Sequence, residues 1–105
     1  MGLANKNLVD RIIDKLSLIY DPEIPVNIYE LGLVYLIEVG KDRTARIVMT
    51  LTSPNCPEAE NIPVQVEHSV LAIEGIEKVT VEIVWDPPWN YEMMSDAARL
   101  ELGIM

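Results

Sequence analysis

The sequence predicts an α+β domain in which helices cover one face of a small mixed three-stranded sheet, in the order α-β-β-α-β-α. Three observations predict it. Apolar residues recur at helical spacing over residues 8–19 and 62–73, and they alternate over residues 44–52 and 78–85, as strands with one buried face require. The second helical segment lies between those two strands, so a helical crossover can set them parallel. At 105 residues, with no internal repeat, the whole chain 1–105 is expected to be a single compact domain.

In the first helix Leu8, Ile12 and Leu16, with Val9, Ile13 and Ile19, form one apolar stripe, and Asp10, Arg11, Asp14 and Lys15 fill the rest. Asn5 or Asn7 can cap it. Pro22 should end it near Tyr20 or Asp21, because the residue before a proline disfavours helical geometry. Residues 21–32 then make a loop with two prolines and three carboxylates. Its fixed torsions and interleaved Ile24, Val26 and Ile28 predict packing against the body, which would hold Asp21 and Glu23 in defined positions. Alternatively Asp21 ends a helix and Glu23 is solvated.

Residues 33–39 and 44–52 read as a β-hairpin around Gly40-Lys41-Asp42-Arg43. Asn61 is placed to cap the second main helix, so that Pro63 falls in its first turn, and Gly75 is placed for a left-handed cap at its end. His68 falls off the apolar stripe and reads as a solvated residue rather than a ligand. The third strand puts Val79, Val81, Ile83 and Trp85 on one face. Trp89, Tyr91, Met93 and Met94 follow as core packing or, where exposed, as a patch for a partner. A short helix closes the chain, with Ser95 as its cap and Gly103 at its end.

Cys56, the only cysteine, excludes an internal disulfide. It lies in Thr50-Leu51-Thr52-Ser53-Pro54-Asn55-Cys56-Pro57-Glu58, between a strand and a helix. Pro57 suits the first helical position, which leaves Cys56 at the cap beside unpaired N–H groups that favour negative charge. A thiolate is the form that binds metal or attacks an electrophile, although Glu58 and Glu60 oppose a second negative charge. The other reading of Cys56 is a small buried apolar residue.

Eight Lys and Arg against 17 Asp and Glu give a net charge of -9, which argues against nucleic acid and anionic membranes as partners. There is no basic start with an apolar run and a cleavage site, and no apolar stretch of spanning length, so a soluble cytoplasmic protein is expected. The sequence holds no glycine loop for phosphate, no Cys-x-x-Cys and no His beside Cys or Ser. An enzyme of an ordinary class is therefore not expected.

Three motifs carry a family resemblance. They are Asp21-Pro22-Glu23-Ile24-Pro25-Val26-Asn27-Ile28 with Leu31-Gly32-Leu33-Val34-Tyr35; Met49-Thr50-Leu51-Thr52-Ser53-Pro54-Asn55-Cys56-Pro57; and Val84-Trp85-Asp86-Pro87-Pro88-Trp89 with Met94-Ser95-Asp96-Ala97-Ala98-Arg99-Leu100. Together they resemble the SufT and PaaD-like family of iron–sulfur cluster assembly factors, from about Leu8 to Met105. The resemblance implies a non-enzymatic factor of the SUF system, with Cys56 as metal ligand or transfer thiol and Asp21, Glu23 and Thr52 beside the cofactor. It implies a transient iron–sulfur cluster or iron, none permanently bound, and as partners the assembly proteins and client apoproteins. A cluster usually takes four ligands and Cys56 supplies one, so ligation has to be shared with a second copy in a homodimer, a small thiol or a client. A metal-free adaptor and an accessory subunit for maturing an oxygenase are the alternatives.

Overall fold

The computed structural model describes residues 2–21, 24–52 and 61–103. The elements are α1 (Gly2–Leu16), β1 (Val34–Val39), β2 (Thr44–Met49), α2 (Asn61–Leu71), β3 (Lys78–Ile83), a single 3-10 turn (Tyr91–Met93) and α3 (Asp96–Glu101). That is the expected α+β order. β2 is central: it pairs antiparallel with β1 and parallel with β3, as the helical crossover through α2 allows.

Alternation along β2 sends Ala45, Ile47 and Met49 into the core, all of them fully buried. They share one core with Ile12 and Leu16 of α1 and Ile62, Val66 and Val70 of α2; α1 packs against β1, α2 against β3 and the two helices against each other, on one face of the sheet. The other face is open to solvent. There Arg46 reaches across all three strands, 3.0 Å from Glu38 on β1 and 3.3 Å from Glu82 on β3. No helix among the described residues is long and apolar enough to cross a membrane.

Several boundaries differ from the sequence expectation. α1 runs through Asn5 and Asn7 rather than starting at either, and it ends at Leu16 rather than near Tyr20. Pairing explains the early end: Tyr20 bridges Asn27, and Ile28 N–H donates to Ile19 C=O at 2.8 Å, which needs residues 19 and 20 extended. α2 begins at Asn61 with Pro63 in its first turn, as expected. It stops at Leu71, so Gly75, at φ +100°, serves the turn closed by Ile76 N–H on Ile73 C=O rather than capping the helix itself. β3 ends at Ile83, which leaves Trp85 beyond the strand and 48% exposed instead of on the buried face. At α3 the Ser95 hydroxyl accepts from Ala98 N–H as expected.

Candidate functional site at the C-terminal end of the central strands

Because β2 and β3 are parallel, the segments leaving both emerge at one end of the sheet, where antiparallel β1 begins. The three sequence motifs therefore meet there. A run of backbone bonds ties the first motif to the second: Ile28 N–H to Ile19 C=O at 2.8 Å, Leu33 N–H to Ile28 C=O at 3.2 Å, and Thr50 N–H to Leu33 C=O at 2.8 Å. The third motif joins through Val84 N–H to Met49 C=O at 2.9 Å and Ser95 N–H to Glu30 C=O at 2.8 Å.

Two side chains and one glycine lock this junction. Trp89 Nε1 donates to Leu31 C=O at 2.6 Å, and its ring meets Tyr91 edge to face at 5.2 Å. Gly32, at φ +80°, lies so close to the Met93 carbonyl that any side chain there would collide with backbone. Tyr35 is the extra residue of a bulge in β1, since Val34 pairs with Met49 and Leu36 with Val48. Its hydroxyl donates to Pro87 C=O at 2.8 Å and lies 3.6 Å from Met93 Sδ. Burial raises the Tyr35 pKa above 10.0, the charge of Asp86 raises it further, and the nearby Thr50 hydroxyl partly offsets both. Thr50 itself is fully buried, and its Oγ1 has no hydrogen-bond partner of good geometry among the described residues.

Of the residues expected at the cofactor, Asp21 is buried at 4% exposure, and its Oδ1 accepts from Ile24 N–H at 3.2 Å. A buried carboxylate needs such donors. It stands two residues past Ile19, whose carbonyl accepts from Ile28 N–H. Thr52 is half-buried, two residues beyond Thr50. Glu23 and Cys56 lie outside the described residues. Among the described residues, no three His, Cys, Asp or Glu side chains gather as a metal site. His68 is exposed, as expected. Tyr35 and Thr50 were in the motifs but carried no expected role. The signal for Tyr35 is the bulge, which alternation alone does not reveal.

The sequence profile of the iron–sulfur cluster assembly protein family matches residues 9–83. This chain belongs to that family. An Fe-S protein maturation auxiliary factor of Porphyromonas gingivalis is 46% identical over 94 residues, 90% of this chain and 90% of that protein. The Fe-S protein maturation auxiliary factor SufT of Staphylococcus aureus is 40% identical over 87 residues, 83% of this chain and 99% of that one. The SufT-like resemblance drawn from the motifs therefore stands. A crystal structure of a domain of unknown function, DUF59, from Bacillus anthracis superposes with a TM-score of 0.91 at 33% identity, covering 100% of both chains. That domain thus shares the α+β architecture described above.

Proposed function

We propose that this chain is a non-enzymatic factor in iron–sulfur cluster assembly or transfer, with Cys56 as metal ligand or transfer thiol and a cluster or iron as passing cargo. The observation that carries the reading is the meeting of three separate motifs, in a member of this family, at the strand end from which the Cys56 segment departs. The names of the maturation auxiliary factors at 46% and 40% identity support it. Asp21, Glu23 and Thr52 are the groups proposed to flank the cargo, and the clients and assembly proteins are the partners.

A metal-free adaptor is the second reading. It is favoured by the exposure of Trp85 at 48% and Tyr91 at 58%, since large apolar side chains left in water beside a rigid junction suit protein contact. Anaerobic reconstitution with iron and sulfide, on wild type and Cys56→Ala, tests the choice. A carrier gains visible cluster absorbance and mass that Cys56→Ala lacks. An adaptor gains neither, and client maturation in cells then tolerates Cys56→Ala while failing when the exposed Trp85 or Tyr91 is changed.

A further inference from the structure

A groove of about 70 Å³ runs between the loop after α1 and the helix α3, lined on one side by Tyr20, Pro25, Val26 and Glu30 and on the other by Ala97 and Glu101. It is far below the roughly 300 Å³ at which small-molecule and cofactor sites begin, so it suits one side chain rather than a ligand of that size. Its chemistry is mixed in a particular way. Pro25, Val26 and Ala97 offer an apolar floor, and Tyr20, 56% exposed, offers a ring. Glu30 and Glu101 also line it, and neither is in an ion pair among the described residues.

The local charge is one-sided. Among the described residues 24–30 and 96–101, Glu30, Asp96 and Glu101 stand against Arg99 alone. Ala97 and Glu101 are four apart and share a helix face, whereas Arg99 is two from each and does not line the groove. An apolar channel with an aromatic wall and acid groups accommodates a long basic side chain: the methylene stem lies along the floor, and the cationic head meets the ring and the carboxylates. Ser95 N–H on Glu30 C=O fixes the two walls to each other, so the groove is built before a partner arrives.

We propose that this groove docks an arginine or lysine from a basic surface segment of a protein partner. The inference rests on the reading of the chain as a factor that meets clients or assembly proteins, and it names the chemistry of the surface met. It places that contact on α3 and the loop after α1, apart from the exposed Trp85 and Tyr91.

The test uses a short amphipathic helical peptide with one arginine, and versions with lysine, citrulline or glutamate in its place, titrated into isotope-labelled full chain and followed by amide NMR. The arginine and lysine peptides are expected to give saturable shifts at Tyr20, Glu30, Ala97 and Glu101. Citrulline, which keeps the shape without the charge, should bind about tenfold more weakly, and glutamate should not bind. The double change Glu30→Gln with Glu101→Gln should erase the difference between arginine and citrulline. Glu101→Gln alone, on the exposed end of α3, should reduce it even if the double change disturbs the loop. Equal binding of arginine and citrulline, shifts spread over other acidic residues, or no binding each overturns the proposal. Cys56→Ala should bind these peptides as wild type does, so failure of the groove and failure of the cluster role are read separately.

Discussion

At the level of single residues, the junction depends on atoms that leave no room for change. Gly32 combines a left-handed φ of +80° with direct contact to the Met93 backbone, so Gly32→Ala meets strain and collision together. It should cost roughly 2 to 4 kcal/mol in urea unfolding. Gly75→Ala shares the strain, at φ +100°, but meets the flexible tips of Leu8, at 3.2 Å, and Arg43, at 3.4 Å, instead of backbone, and should cost less; equal losses would refute the packing argument. Tyr35→Phe removes the bond to Pro87 and should cost about 0.5 to 1 kcal/mol, the low end of the usual range because that bond is solvent-exposed. The phenol also sets a pH dependence. With its pKa raised above 10.0 by burial and Asp86, folded Tyr35 keeps its proton longer than the unfolded chain does. Its contribution is intact below pH 10.0 and is lost as pH rises through the folded value. Asp86→Asn should lower that ionisation in a tyrosinate absorbance titration read as wild type minus Tyr35→Phe; an unchanged difference curve would remove Asp86 from the account. These roles were not legible in the sequence, because Tyr35 acts on a residue 52 positions away. For Asp21 the two prolines made a held carboxylate one of two readings, the other being a helix end, and its burial at 4% exposure agrees with the first.

At the level of elements, legibility followed how local the cause is. The hairpin turn, the alternation from Thr44 to Met49, Pro63 in the first turn of α2 and the Ser95 cap are set by neighbours in sequence, and each was expected where it is observed, whereas β2 and β3 end at Met49 and Ile83, short of the expected Thr52 and Trp85. The end of α1 was misplaced because a distant pairing sets it: residues 19 and 20 are drawn out to meet 27 and 28, overriding the helical periodicity that continues to Ile19. The parallel pairing of β2 and β3 could be argued from the crossover alone, and it brings the motifs together. Within β2, adjacent residues should respond very differently to truncation. Ile47→Ala opens a cavity under α1 and α2 and should cost about 2 to 5 kcal/mol. Arg46→Ala loses two pairs in open solvent on the bare face, so its effect on the unfolding midpoint should be much smaller and should fade in high salt. A salt-independent loss comparable to that of Ile47→Ala would mean the bare face is covered in solution.

At the level of the whole molecule, the proposed carrier role turns on ligand arithmetic. One chain has one cysteine, and a cluster usually takes four ligands, so two chains sharing a cluster supply two thiolates and leave two positions for carboxylates or thiols that a client can replace. Incomplete ligation of this kind suits release. It also makes binding and association the same equilibrium: a cluster that binds the dimer and not the monomer multiplies the dimerisation constant by one plus the ratio of free cluster to its dissociation constant. At a hundredfold excess over that constant, the gain is about 2.7 kcal/mol, or about a hundredfold in dimer affinity. Anaerobic sedimentation at several protein concentrations should therefore show dimer rising with loading, and Cys56→Ala should show no such rise. An added small thiol should lower the dimer fraction while absorbance persists, because it can take the place of the second chain. A loaded protein that stays monomeric at every concentration without added thiol would defeat shared ligation, since one chain would then be completing the cluster from its own side chains.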